Sequence, residues 1–288
     1  MGRGPNAEGI LGVFFALDFG VKADGQTDDA PPIQSAIYAA KSAGGGQVWL
    51  PSDLDEVMIG STIKLPDNVE LVIPAGCTLK LLDDRNVDLI QNEDQTGGNS
   101  RIRISGGGTI DGNRANNTSD IWYGVNLQNV ADAAILGVRI KSCRDHGIYL
   151  NGCTRVRLDG PLATDCGQHG IALLDSVRCV LVGCRSHDNS KVVSAGSGDG
   201  VNLAGTSTDN AIVGLVTYDS SPTSKRQGYG VREAAASGCD RNFIVGGSLV
   251  GNLTGATSLV GASSKVVDDV AVVATTGTPT TQAIGDTA

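Results

Sequence analysis

The sequence predicts an all-β solenoid, a right-handed single-stranded parallel β-helix with an N-terminal capping α-helix. Three observations carry that prediction. A five-residue phrase (bulky polar residue, Gly, Val or Ile, a variable residue, Leu) recurs at Tyr123–Leu127, His146–Leu150, His169–Leu173 and Asp199–Leu203, and degraded at Tyr229–Glu233. Its glycines stand 23, 23, 30 and 30 residues apart, the period of a solenoid with one short strand per copy. The apolar residues alternate with period two and show no 3.6-residue periodicity, which selects strands over helices. Composition agrees: 40 Gly but only 4 Phe and 2 Trp in 288 residues suit a narrow core of small side chains fed by tight turns. About ten turns are expected, stacked about 4.8 Å apart.

The continuous repeat favours one elongated domain over residues 17–258. Residues 1–16 read as an N-terminal linker, and 259–288 as a C-terminal strand and tail segment. The net charge of −9 leaves no electrostatic footprint for nucleic acid or an anionic membrane. No run approaches 18 apolar residues, so membrane insertion is not expected. The apolar run Ile10–Leu17 is too short, and lacks the cleavage pattern, for a signal peptide. Seven cysteines without paired spacing read as buried thiols.

In chain order, Thr27, Asp28 and Asp29 supply an N-cap and first-turn negative charge for a helix near 30–43. Ile33, Ala36, Ile37 and Ala40 form its apolar stripe, and Gly44–Gly46 end it. A helix laid over the first turn shields unpaired backbone and an open core. Gln47–Pro51 reads as a strand ended by proline. Together, Asp18-Phe19-Gly20 through Asp28-Asp29, the helix, the glycine run and Val48–Pro51 resemble the opening of pectate-lyase-superfamily β-helix proteins. That group includes phage tailspikes, mannuronan epimerases and polygalacturonase-related proteins. Gly108–Asn113 is similar to a phrase common in it, and the resemblance extends over roughly 17–255. It implies the fold, a polysaccharide partner and a virion-associated or extracellular location. With the apolar text after Leu259, including Val266–Val273, it also implies a homotrimer.

Leu71–Ile73, Thr78–Leu81 and Arg101–Ile104 read as further strands, with polar loops at Asn92–Ser100 and Asn113–Asp120. Cys143, Cys166 and Asn189 recur 23 residues apart, with Asn252 as a continuation. They read as a stack filling one inner corner.

Two repeats are seven residues longer than the others, with additions around Lys191–Gly198 and Ser220–Gly228. Both fall just before the glycine phrase, where they would wall one side of a groove. On that face the residues before each glycine stack as Tyr123, His146, His169, Asp199 and Tyr229. Those two after it stack as Asn126, Tyr149, Ala172, Asn202 and Arg232. Two of the chain's three histidines share one column, where Asp199 would orient an imidazole as general base. Tyr149 and Arg232 suit proton delivery and neutralisation of a uronate carboxylate. Asp145 and Asp199, two turns apart at about 9.6 Å, lie near the upper end of the roughly 6.5–9.5 Å separation of inverting glycosidases. The candidate catalytic set is Asp145, His146, Tyr149, His169, Asp199 and Arg232. The candidate substrate-binding set is Trp122, Tyr123, Asn126, Asn151, Asn202 and Tyr229.

Two alternatives stand beside this one. The same residues could be a solvent-facing polar ladder chosen for turn geometry, or His146, His169 and Asp199 could be a two-His-one-carboxylate metal site. No cofactor is required, with a divalent cation such as calcium left open. The mannuronan-epimerase phrase Tyr-Gly-Phe-Asp-Pro-His is replaced here by His146-Gly147-Ile148-Tyr149-Leu150-Asn151, and Leu174 stands where the family has a further aspartate. The family's catalytic set is therefore not retained. Two functions remain open: a lyase or hydrolase that binds and cleaves a polysaccharide in the groove, or a non-catalytic spike or adhesin.

Overall fold

A computed structural model describes residues 12–52 and 56–267. Over these residues the chain is a right-handed parallel β-helix with three faces. The groove face stacks eight strands, from Ile63–Leu65 to Gly255–Ser258, all parallel. The second face stacks ten, from Gly12–Phe15 to Lys265–Val267, matching the expected number of turns. The third runs from Val57–Ile59 upward. Near the C-terminal end, Ala211–Tyr218 and Phe243–Leu249 each pass through the second and third faces without a break.

The glycine phrase has a steric cause. Gly124, Gly147, Gly170, Gly200 and Gly230 sit at the corner where the chain enters the groove face. A Cβ on any of them would lie 2.6–3.1 Å from the carbonyl oxygen of the next turn's residue in the same column. A second glycine column does a different task. Gly137, Gly160, Gly183, Gly214 and Gly246 have φ between 56° and 67° and turn the chain from the second face to the third, a left-handed conformation that side chains resist.

The core is apolar and continuous, with Val125, Ile148, Ile171, Val201 and Val231 in one inward column. Its corners are closed by side chains that accept the previous turn's N–H. Asn189 Oδ1 accepts from Cys166, Ser176 Oγ from Cys153, and Asn210 Oδ1 from Cys179. The predicted Cys143–Cys166–Asn189 stack is therefore an inner corner, and Asn252 joins it through Gln227. All seven cysteines are free and buried. Burial pushes the thiols of Cys77, Cys153 and Cys184 up to about 12, which keeps them protonated and unreactive.

Helix α1 (Ala30–Ser42) buries Ile33, Ala36, Ile37 and Ala40 over the first turns, as the stripe predicts. Its cap differs in detail. Asp28, not Asp29, accepts the Ala30 N–H, and also binds the Gly60 N–H. Asp29 turns back to the N–H groups of Lys22 and Ala23.

Two boundaries need correction. Gly12–Phe15, assigned to the linker, is a strand paired with Gly46–Trp49. Lys265–Val267, in the segment assigned as C-terminal strand and tail, pairs in parallel with Phe243–Val245, so the solenoid continues past 258. Positions 268–273 of the expected C-terminal strand lie outside the described residues. No described helix is long and apolar enough to cross a membrane.

Candidate functional site

The groove-face register is the predicted one: Asn126, Tyr149, Ala172, Asn202 and Arg232 are successive partners. Beside them runs a hydrogen-bond ladder in which four side chains, Asp88, His146, His169 and Asp199, each accept the N–H of the next turn's column residue. Tyr123 N–H donates to Asp88 Oδ1 (2.8 Å), and His169 N–H to His146 Nδ1 (3.4 Å). Asp199 N–H donates to His169 Nδ1 (2.9 Å), and Tyr229 N–H to Asp199 Oδ1 (3.0 Å). Asp88 belongs to this column but was missed, because Leu89 stands where the phrase has glycine. The signal that could have found it is its place two residues before the inward Ile90.

This ladder corrects the role given to Asp199. A ring nitrogen accepting an N–H carries no proton, so His169 cannot donate from Nδ1 to the Asp199 carboxylate 3.3 Å away. Asp199 holds His169 through its backbone. Its carboxylate is fully buried (0% exposed) and engaged by Tyr229 N–H, by Asn202 Nδ2 (3.2 Å) and by Arg232, whose Nε lies 2.8 Å away as an ion pair without hydrogen-bond alignment. Asp199 therefore has no free oxygen for a substrate. Asp145 and Asp199 do not share a column either. Asp145 lies one residue further from its glycine, in register with Gln168 rather than with Asp199.

Asp145 is the distinct group. Its Oδ1 lies 3.2 Å from His146 Nδ1, and burial pushes its carboxyl up to about 6 against the pull of His169 and Arg144. His146 is held well below its ordinary range by burial and by His169, so it is neutral at pH 7. Around this pair lie stacked rings. Tyr123 and Tyr149 have centroids 4.7 Å apart at 25°, Tyr123 and His146 are 5.2 Å apart, and His146 and His169 are 5.0 Å apart. Both imidazoles are buried while both tyrosines are half-exposed. Burial also raises the two phenols, which remain protonated donors.

The remaining expected residues divide. Asn151 and Tyr229 are half-exposed on the face. Asn126 and Asn202 are buried linkers, donating to Asp88 and Asp199. Arg232 lies three rungs from Tyr149, about 14 Å, so it does not join the Asp145 cluster. Trp122 is not a sugar platform: it is 1% exposed, folded into the core over Gly112, where a Cβ would meet its ring at 2.6 Å. Among the described residues, no group of three or more His, Cys, Asp or Glu is placed to hold a metal ion.

The enlarged loops do share one corner. Gly196 N–H bonds Arg226 O, Gly228 N–H bonds Gly198 O, and the Arg226 guanidinium binds Ser190 O and Val193 O. A third long crossing, 112–124, sits at the same corner beside the two short ones. Asp111–Lys141 (2.7 Å) and Arg114–Asp165 (3.1 Å) tie this region down. Asp145 and His146 thus lie on a low stretch between two raised ones.

Fold and groove together define a class of solenoid protein, and residues 70–217 match the family described as right handed beta helix region. The chain belongs to that family, within the pectate-lyase superfamily that its opening resembles. Over 126 residues it is 37% identical to mannuronan C5-epimerase AlgE3 of Azotobacter vinelandii, covering 39% of this chain and 7% of that protein. Over 35 residues it is 66% identical to alginate lyase 7 of the same organism, covering 12% and 4%. Over 167 residues it is 28% identical to YclG of Bacillus subtilis, covering 54% and 26%. The chain thus spans about a quarter or less of these relatives' lengths. Among solved structures, bacteriophage phi29 gene product 12 (N-terminal fragment) aligns with TM-score 0.67 at 20% identity, covering 88% of this chain and 42% of that one. A Yersinia enterocolitica family 28 exopolygalacturonase aligns with TM-score 0.61 at 15% identity, covering 88% and 56%. Likeness at this level of identity shows the fold.

Proposed function

We propose that the chain binds an extracellular or cell-surface polysaccharide along the groove face, and that Asp145 is the proton donor of a lyase or hydrolase reaction there. One observation carries the reading. The carboxyl of Asp145, titrating at about 6, lies beside half-exposed stacked tyrosines on the low stretch between raised loops. A carboxylic acid with that titration is partly protonated near neutral pH, where it can protonate a leaving glycosidic oxygen. Tyr123 and Tyr149 offer ring edges and hydroxyls to sugar. The names of the A. vinelandii relatives, an epimerase and a lyase acting on uronate polymers, support a uronate-containing substrate. Reaction and binding need no resident cofactor on this reading, and chelation is expected to leave both unchanged.

A second reading, the non-catalytic spike or adhesin, is favoured by the ladder, which accounts for His146, His169 and Asp199 by backbone bonding alone. Polysaccharide retention by Tyr123→Ala/Tyr149→Ala tests what the readings share. Loss of binding with an unchanged melt supports the groove, and unchanged retention removes it.

The proposed assembly is a homotrimer. The outer side of the second face carries Val180, Val182, Val213, Phe243 and Val245 close together, with Phe243 40% exposed. Such a stripe is the kind of surface that copies of a chain cover.

A further inference from the structure

Among the described residues, the first strand of the groove face, Ile63–Leu65, has no strand below it. Gln34 of α1 takes that place at one residue: its Nε2 donates to Lys64 O (2.9 Å) and its Oε1 accepts from Lys64 N–H (2.8 Å). The side-chain amide thereby mimics a missing rung and fixes α1 against the edge of the sheet. Around this clasp the helix and the sheet leave an open cleft of about 550 Å³, within the volume range of small-ligand sites.

The cleft is the start of the groove. Lys64 is in register with Gln91, Gln91 with Asn126, and Asn126 with Tyr149, so the column beside Asp145 runs down to it over about 14 Å. Its wall combines three kinds of group: the Tyr38 ring, 43% exposed; the hydroxyls of Ser61 and Thr62; and the exposed Lys64, which has no ion-pair partner among the described residues. Pro31 and Val87 make it apolar between them. A strongly hydrated ammonium left unpaired beside an aromatic ring and an apolar surface is matched by a ligand with a carboxylate, hydroxyls and an apolar ring face.

We propose that this cleft is a terminal subsite that takes one uronate residue of a polyuronate lying in the groove. Its ring packs against Tyr38 and its carboxylate meets Lys64. The inference rests on the groove reading and adds to it a direction for the chain and an acidic substrate. A subsite at one end, beyond the reach of short ligands seated at Asp145, makes affinity depend on oligomer length.

Titration calorimetry on the full chain with long and short galacturonate and mannuronate oligomers, and their carboxyl-reduced counterparts, tests it. Tyr38→Ala and Lys64→Gln are each expected to weaken long-oligomer binding on the order of tenfold, about 1.4 kcal/mol, and to leave short oligomers unaffected. The Lys64→Gln effect should vanish for carboxyl-reduced oligomers. Tyr38 and Lys64 are exposed, so unchanged melting is the control on folding. If Tyr123→Ala weakens binding while both cleft variants bind like wild type, the subsite is refuted and the groove stands. If no uronate oligomer binds, or Tyr123→Ala is also silent, both fall together.

Discussion

Asp145 and His146 pull stability in opposite directions with pH. The Asp145 carboxyl titrates near 6 in the fold but near 3.9 when unfolded. The native state therefore holds the extra proton between those values, and stability falls as pH rises from about 4 to about 6. Its cost, fully present above that window, is at most about 3 kcal/mol. His146 is depressed, so its contribution is present above about 6.5 and is lost as pH falls below that value. Thermal melts of Asp145→Asn should match wild type at pH 4 and exceed it at pH 7, and equal melts at pH 7 would show that the carboxyl is not strained. At His169 the ladder sets the expectation. His169→Ala leaves the buried Asp199 N–H without its acceptor, at a cost of about 1–3 kcal/mol, while polysaccharide binding persists; His169→Asn, which can restore an acceptor, should recover part of the loss in denaturant unfolding. The shared column of His146, His169 and Asp199 was legible in the sequence because the phrase sets the register. Which atom bonds which was not legible, since backbone N–H donors leave no mark on composition. Trp122 was misplaced because the long crossing before it hides whether its ring turns in or out.

Among the elements, the glycine phrase is the most constrained. Gly147→Ala would place a methyl 2.7 Å from Gly170 O and 3.1 Å from both Ala163 Cβ and Cys166 Sγ. Such overpacking is expected to cost about 1–3 kcal/mol, and a variant that melts like wild type would show that the corner can relax. Ile148, fully buried between Val125 and Ile171, should not tolerate Asp, because an unpaired charge would enter the core. Loss of the folded circular dichroism signal is the expected result, and a folded variant would mean that the register is wrong. The helix was readable because its stripe, acidic cap and glycine end agree. The strand Gly12–Phe15 was not, because a four-residue run with three exposed members carries too little periodicity to separate it from a linker.

For the whole molecule, period and alternation suffice for the β-helix, since each turn needs only its neighbours to bury its core. They are silent on chemistry, which depends on how deeply Asp145 is buried and on which loops rise beside it. Assembly is a separate expectation. Light scattering at micromolar concentration should give three times the chain mass, and replacing Phe243 with a charged residue should yield monomers with an intact fold; wild-type monomers would exclude the trimer. The groove itself is tested most directly by turnover. Wild type and Asp145→Asn would be incubated with polyuronates, following reducing ends and the absorbance of unsaturated uronates. Wild type is expected to release products, and Asp145→Asn to lose on the order of a hundredfold in rate with binding retained. Equal rates in the two proteins, or binding by wild type with no product from any polymer, would contradict Asp145 as the proton donor, and the second result would leave the non-catalytic spike.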